Sequence, residues 1–282
     1  MLKLEGVKKS YIEPNGHRLP VLDVPSFKLD RGEQMVLVGR SGCGKTTLLH
    51  VIAGISRADE GVVQLDGVNI ARLSEEARDR YRAAKLGYVF QTFNLLPGFS
   101  ALENVMLGMT FARGRRDPAR AAHLLDRVGL SHRASHKPSQ MSVGEQQRTA
   151  VARALANQPV LLLADEPTAN IDPANQQMIV DLIRDTCREE QIALLMVTHS
   201  NEVSGQFDRV QRLDELNRVV RQVATSTPSS SSKTSGGASV GASSAGAGSG
   251  GSSSTGTGSV GTSSFDAGSD RVGAARQGGG KS

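Results

Sequence analysis

The fold is decided by the stretch Gly39-Arg40-Ser41-Gly42-Cys43-Gly44-Lys45-Thr46, which matches the phosphate-loop pattern G-x-x-x-x-G-K-[ST]. It follows residues 34–38, a short apolar run typical of a strand buried on both faces. A helix is predicted directly after it, over residues 46–53. A strand, a glycine-rich loop and a helix in this order are the context in which the pattern binds polyphosphate.

The residue types in this loop suit a charged triphosphate. Glycines let backbone N–H groups surround the phosphates, and the N-terminal dipole end of the following helix attracts anions. Lys45 supplies a mobile cation for the β- and γ-phosphates, and the Thr46 hydroxyl is a ligand for Mg²⁺. We therefore expect ATP and Mg²⁺ as cofactors, with nucleotide contacts from Gly39, Arg40, Ser41, Gly42, Cys43, Gly44, Lys45, Thr46 and Thr47.

Polar residues follow two later apolar runs. Residues 160–164 predict a strand that ends in Asp165 and Glu166, and His199 follows the predicted strand at 192–197. Ligands of parallel sheets bind at the carboxyl ends of the strands. Asp165 is therefore expected to hold Mg²⁺, directly or through water, Glu166 to polarise the attacking water, and His199 to reach the γ-phosphate.

Predicted strands and helices alternate along most of the chain, which favours an α/β fold with a mostly parallel sheet and helices on its faces. Residues 2–7 predict an edge strand at the start. Residues from about 92 to 156 are mainly helical and interrupt the core as an inserted subdomain. Within that block, Ser142 and Glu145 form the pattern of a capping box at a helix start.

The chain has 282 residues, and from 224 to 282 it consists almost entirely of Ser, Gly, Thr and Ala. Such a composition buries too little apolar area to offset the entropy of ordering. We therefore predict a domain at 1–223 and a flexible tail at 224–282.

Charge and cysteine content exclude several classes of protein. The formal net charge of +5 is mild and scattered, which argues against nucleic acid as a partner. Cys43 and Cys187 form neither a disulfide framework nor a zinc pattern, which suits a reducing compartment. No apolar run approaches the ~20 residues that span a bilayer, and the N-terminus lacks the core of a signal peptide. We expect a cytoplasmic protein without direct membrane insertion.

Further motifs, in order, resemble those of ABC (ATP-binding cassette) ATPases. Residues 141–148, Met-Ser-Val-Gly-Glu-Gln-Gln-Arg, resemble the signature Leu-Ser-Gly-Gly-Gln. Gln91 is similar to the Q-loop glutamine, residues 169–172 to the D-loop, and His199 to the switch histidine. Tyr11 lies where the family places an aromatic ring on adenine. The resemblance implies a P-loop NTPase core, an N-terminal antiparallel β region and an inserted α-helical subdomain.

The resemblance also implies a mechanism. Two copies dimerise head to tail, so that Ser142 and Gly144 of one copy face the ATP held by the other, and hydrolysis drives integral membrane permease subunits. The implied catalytic residues are Glu166, His199, Lys45 and Gln91, and the implied metal ligands are Thr46, Gln91 and Asp165.

Two residues depart from the family signature. Val143 replaces the first glycine and adds bulk near a closely approached nucleotide, while Glu145 replaces the glutamine and adds a negative charge. Ser142 and Gly144 are kept. We expect a working but slow ATPase.

A narrower resemblance lies in residues 87–97 and 101–105, which are similar to ATPases of the lipoprotein-releasing and macrolide-exporter type. It implies a location on the cytoplasmic face of the inner membrane, through the permease. Phe93, Leu95 and Leu96 are either permease contacts or packing residues of the helical subdomain.

One alternative function stays open: a regulatory ATPase of a cell-division-type complex, which works with a permease-like protein without transport. DNA-repair members of the family carry a long coiled coil between the phosphate loop and the signature, and the spacing from Gly39 to Ser142 is too short for one.

Overall fold

The structure is a computed structural model that describes residues 1–113 and 117–220; the predicted tail at 224–282 lies outside them. Within those ranges the strands are β1 (Leu2–Ile12), β2 (Arg18–Leu29), β3 (Gln34–Val38), β4 (Glu60–Leu65), β5 (Val68–Asn69), β6 (Leu86–Val89), β7 (Leu161–Asp165), β8 (Ala193–Val197) and β9 (Arg209–Arg212). The helices are α1 (Lys45–Ile52), α2 (Glu75–Lys85), α3 (Ala101–Arg113), α4 (Pro118–Arg127), α5 (Val143–Leu155), α6 (Pro173–Glu189), α7 (Asn201–Ser204) and α8 (Leu213–Leu216).

A parallel sheet of order β6-β7-β8-β3-β9 lies at the centre of the fold. Strands β7 and β8 are buried over their whole length, and apolar clusters cover both faces of the sheet. Burial on both faces explains why these strands are continuous apolar runs rather than alternating ones. The predicted α/β class is confirmed, and the carboxyl ends of β3, β7 and β8 lie side by side.

The N-terminal region forms a second, antiparallel sheet of order β2-β1-β4-β5. The prediction that residues 2–7 form an edge strand is wrong. Leu2 of β1 pairs with Leu29 of β2 on one side and with Leu65 of β4 on the other. An alternating apolar pattern indicates that one face of a strand is buried, but it does not indicate whether the strand has one or two hydrogen-bonded neighbours in the sheet.

Helices α3, α4 and α5 make up the helical block predicted at 92–156, although residues 92–100 form no helix. Helix α5 begins as the capping box predicts: the Ser142 side chain accepts from the Glu145 N–H, and the Glu145 side chain accepts from the Ser142 N–H. Helix α2 was not predicted. The domain boundaries at 1–223 and 92–156 stay predictions.

None of the helices in the described part of the chain combines the length and the apolar character that crossing a bilayer takes.

Candidate functional site

A cleft of about 520 Å³ lies at the carboxyl ends of β3, β7 and β8. Side chains from distant parts of the sequence meet here because neighbouring parallel strands end at one edge of the sheet. The cleft is lined by predicted site residues: Ser41, Gly42, Gly44, Lys45, Thr46, Thr47, Gln91, Asp165, Glu166 and His199.

The phosphate loop runs between β3 and α1 with glycines in conformations that other residues rarely adopt. Gly42 has φ 76° and Gly44 has φ 97°. A Cβ on Gly44 would lie 2.8 Å from Leu22 Cδ2, so the loop also packs too closely for a side chain there. No side chain caps the N-terminus of α1, which leaves its first N–H groups available to an anion.

Lys45 lies across this loop. Its Nζ donates to the carbonyl oxygens of Gly39 at 2.9 Å and Arg40 at 3.0 Å. The ammonium group is thus held beside the loop, within the cleft that Lys45 helps to line.

Asp165 ends β7 inside the cleft and is 5% exposed. Its Oδ1 atom is buried and has no hydrogen-bond partner among the described residues. Burial raises the pKa of the carboxyl group, against the opposing effect of a hydrogen bond with Thr46.

These residues fit Mg²⁺, since a buried carboxylate oxygen without a partner lies beside the Thr46 hydroxyl. No group of three or more His, Cys, Asp or Glu residues that could hold a metal occurs in residues 1–113 and 117–220. Mg²⁺ commonly takes one or two carboxylates and completes its shell with water and substrate phosphate, so the two-residue set suits it.

Glu166 and His199 are hydrogen-bonded neighbours in the wall of the cleft. Glu166 has a left-handed φ of 48°, and its backbone N–H donates to Val197 O at 2.9 Å. Its Oε2 lies 2.9 Å from His199 Nδ1 and accepts from the His199 backbone N–H at 3.3 Å. The two side chains therefore form one hydrogen-bonded unit, in which Glu166 is largely covered and His199 is exposed.

Comparison with known proteins decides the family. The sequence profile of the family described as "ABC transporter" matches residues 22–169. The chain belongs to the ABC transporter family. It is accordingly an ATP-binding ATPase of the ABC type, as predicted.

Two curated relatives illustrate the similarity. The lipoprotein-releasing system ATP-binding protein LolD 2 of Caulobacter vibrioides is 46% identical over 225 residues, which cover 78% of this chain and 98% of the relative. The macrolide export ATP-binding/permease protein MacB of Rhodopirellula baltica is 42% identical over 236 residues, covering 82% of this chain and 34% of the relative.

A similar solved structure is the dimeric ATP-binding cassette MJ0796, bound to ADP and Pi in a post-hydrolysis state. It has a TM-score of 0.70 and 35% sequence identity, and the match covers 75% of this chain and 94% of that one. This similarity supports the ABC ATPase fold of the core.

Several predicted site residues do not line the cleft. Gly39, Arg40 and Cys43 belong to the loop but not to the cleft wall. Tyr11 lies on β1 and is 42% exposed, with Lys9 Nζ 5.3 Å from its ring centroid. Ser142 and Gly144 lie at the start of α5, outside the cleft lining.

Glu145, one of the two residues that differ from the ABC signature, has partners for its negative charge. Glu145 Oε1 accepts from Arg133 Nε at 2.9 Å, and Oε2 accepts from the Ser142 N–H at 2.7 Å. The Ser142 N–H is the main cause that lowers the pKa of Glu145, and Arg133 contributes. Val143, the other departure, is 48% exposed.

Two polar contacts of this ABC site were missed from the sequence. Asn170 Nδ2 donates to the Gln91 carbonyl at 3.0 Å, which joins the segment predicted as the D-loop to the one predicted as the Q-loop. The Tyr88 hydroxyl is buried near Asp165. Burial is the main cause that raises the pKa of Tyr88, and the negative charge of Asp165 contributes. Neither contact has a local sequence signal, since each joins segments more than seventy residues apart.

Proposed function

We propose that the chain is the ATP-hydrolysing subunit of an ABC transport system of the lipoprotein-releasing or macrolide-exporting type. Two copies close on ATP and drive a separate permease, which holds the chain at the cytoplasmic face of the inner membrane. The observation that carries this proposal is the single cleft that joins the phosphate loop to Asp165, Glu166 and His199. The similarity to a lipoprotein-releasing LolD protein and to a macrolide-export MacB protein supports the subtype.

The chemistry follows from the residues around the cleft. Backbone N–H groups at the start of α1 and the ammonium of Lys45 bind the phosphates and stabilise the charge that develops on them. Thr46 and Asp165 are the ligands that we assign to Mg²⁺, with Gln91 at the cleft edge as a further oxygen donor. Bound Mg²⁺ supplies positive charge to the phosphate oxygens.

Glu166 is assigned to the attacking water. A carboxylate that is held in place and within reach of water accepts its proton as the phosphoryl group is transferred. His199 keeps the Glu166 carboxylate oriented through the 2.9 Å contact at Nδ1 and is exposed enough to meet the γ-phosphate.

Dimerisation is proposed because the signature residues Ser142 and Gly144 do not line the cleft of their own chain. Ser142 and Val143 are exposed, and a Cβ added to Gly144 would meet no atom within 4 Å, so this helix start is accessible to a second copy. The dimeric state of the similar cassette supports this arrangement.

A groove of about 330 Å³ is our proposed permease contact. Ile55 and Phe111 line it and are 46% and 67% exposed, beside the stacked rings of Tyr88 and Phe90. Exposed apolar clusters of this kind mark interaction sites. Of the residues predicted for the contact, Leu96 is exposed, while Phe93 and Leu95 are half-buried.

The test is Glu166→Gln, measured against the parent protein and Lys45→Ala. Glu166→Gln should keep ATP binding, lower turnover by about 10²–10⁴-fold, and accumulate an ATP-dependent dimer in size-exclusion chromatography. Lys45→Ala should lose nucleotide affinity and form no such dimer. Turnover by Glu166→Gln at the parental rate would remove Glu166 from its assigned role.

A further inference from the structure

The back of the phosphate loop, on the side away from the cleft, is bonded to one buried side chain near the end of the described residues. Asn217 follows α8 and is fully buried. Its Nδ2 donates to the carbonyl oxygens of Cys43 at 3.1 Å and Val21 at 2.8 Å. Its Oδ1 accepts from the Asp23 N–H at 2.9 Å. One amide group therefore ties the loop to β2.

The bond to Cys43 acts on the peptide unit that carries a phosphate-facing N–H. In a planar trans peptide the C=O of one residue and the N–H of the next point in opposite directions. With the Cys43 carbonyl directed toward Asn217, the N–H of Gly44 is directed away from Asn217, and Gly44 is one of the residues that line the cleft. Asn217 itself does not line the cleft.

Steric contacts also hold the phosphate loop, at Gly39 and at Gly44. A Cβ on Gly39 would lie 2.9 Å from Asp214 Oδ1 and 3.5 Å from Leu213 Cβ, so α8 supports the loop at its start. At its other end, a Cβ on Gly44 would lie 3.1 Å from the Val21 carbonyl oxygen. These apolar and steric contacts set the position of the loop, and the bond from Asn217 adds a directional constraint on the Cys43 carbonyl.

We propose that Asn217 is a positioning residue for nucleotide binding, because it fixes the Cys43–Gly44 peptide so that the Gly44 N–H faces the phosphates. The proposal rests on the proposed function of the loop as the nucleotide site. If Asn217 is replaced, the buried Cys43 carbonyl loses its hydrogen-bond donor. The Cys43–Gly44 peptide can then adopt orientations that turn the Gly44 N–H away from the cleft.

A matched control is needed because the loss of any buried asparagine destabilises the fold. Asn104 on α3 is also fully buried. Its Oδ1 accepts from the Leu96 N–H at 2.8 Å, and its Nδ2 donates to the Leu96, Phe99 and Ser100 carbonyls at 3.2, 3.1 and 3.0 Å. Asn217 makes a fourth backbone bond, because its Oδ1 also accepts from the Val219 N–H at 3.3 Å. Asn104 thus makes as many backbone bonds as Asn217, in the helical block rather than behind the phosphate loop.

The experiment compares Asn217→Ala and Asn104→Ala in the full-length chain. The affinity for MgADP is measured by calorimetry, and the free energy of unfolding by urea titration. Asn217→Ala should weaken MgADP binding about tenfold, as the loss of one well-placed hydrogen bond to an anion would. Asn104→Ala should change it by less than about twofold at a similar loss of unfolding free energy. Should Asn217→Ala not fold, Asn217→Ser is measured under the same criterion.

Two results would overturn the proposal: MgADP affinity of the Asn217 variant within about twofold of the parent, or an equal loss in Asn104→Ala. Lys45→Ala separates this outcome from the proposed function. If the parent binds MgADP and Lys45→Ala does not, the loop is the nucleotide site and the Asn217 variant alone decides the inference. If the parent itself does not bind, the proposed function has failed.

Discussion

At the residue scale, Asp165 is assigned to Mg²⁺ binding, but the burial of its carboxyl group lowers the stability of the fold. Its carboxylate is buried with one oxygen lacking a partner, and burial raises its pKa. A group whose pKa is higher in the folded than in the unfolded chain contributes stability below its unfolded pKa and loses it as the pH rises through the folded pKa. At pH 7, which is above the unfolded pKa, the raised pKa of Asp165 therefore lowers the free energy of unfolding.

We predict that Asp165→Asn raises the free energy of unfolding at pH 7, without Mg²⁺, by on the order of 1 kcal/mol, while ATP turnover is lost. Urea unfolding across pH provides the measurement. The gain should vanish as the pH falls below about 3.9, where the carboxyl group is protonated in the unfolded chain too.

Asp66→Asn is the control of opposite sign. Asp66 pairs with Lys85 at 3.1 Å and Arg31 at 2.9 Å, and the hydrogen bond from Lys85 is the main cause that lowers its pKa. Its contribution is present above the unfolded pKa and lost as the pH falls through the folded one. Asp66→Asn should therefore destabilise at pH 7. A loss of stability in Asp165→Asn as well would contradict the account of Asp165.

At the element scale, α5 connects the signature to the segment that follows Gln91. Arg153, near the end of α5, donates from its guanidinium to the carbonyls of Phe93 at 2.8 Å and Asn94 at 2.6 Å. Arg153 and Asn94 also line the proposed permease groove. A movement of α5 when the signature meets a second copy would thus reach the groove through these bonds.

The groove prediction is that Phe111→Ser weakens association with the cognate permease about tenfold or more, because a large exposed aromatic at an interface is a typical hot spot. ATP turnover of the isolated chain should stay unchanged. Binding to the permease in detergent is the measurement. Ile12→Ser is the control, since Ile12 is 80% exposed and lies at the end of β1, away from the groove. Equal binding by Phe111→Ser and the parent would rule out this face.

At the scale of the whole molecule, the proposed dimer brings the start of α5 to the cleft of a second copy. Val143 presents an exposed isopropyl group at this surface, where the family has glycine. The charge of Glu145 is a smaller obstacle than the sequence suggests, since Arg133 and the Ser142 N–H pair with it. We therefore attribute the expected slow ATP hydrolysis mainly to the bulk of Val143, which would hinder closure of the proposed dimer.

Val143→Ala, made together with Glu166→Gln, should strengthen the ATP-dependent dimer by about two- to tenfold, through relief of steric bulk at a close contact. Analytical ultracentrifugation at several protein concentrations measures the effect. Val210→Ala removes a similarly exposed valine, 46% exposed on β9, and should leave dimerisation unchanged. A dimer weakened by Val143→Ala would show that the valine contributes to the contact.

The sequence predicted those parts of the site whose signals are local. The glycines and Lys45 lie in one continuous motif, and Asp165 and His199 each follow an apolar run, so the parallel sheet brings them to one edge. Contacts between distant segments were not predictable. The two neighbours of β1, the pairing of Arg133 with Glu145 and the bonds of Asn217 depend on how elements pack, and no residue pattern within one segment encodes that. The roles of Glu166, Gln91, Tyr11 and Ser142 stay predictions.

The left-handed φ of 48° at Glu166 has a consequence for laboratory evolution. Glycine adopts this conformation more readily than any residue with a Cβ, yet it would remove the carboxylate. Selection for heat resistance alone should therefore enrich inactive Glu166→Gly clones, whereas selection for growth that depends on turnover should eliminate them. Libraries screened only for soluble, heat-resistant protein would therefore lose catalysis through changes at this codon.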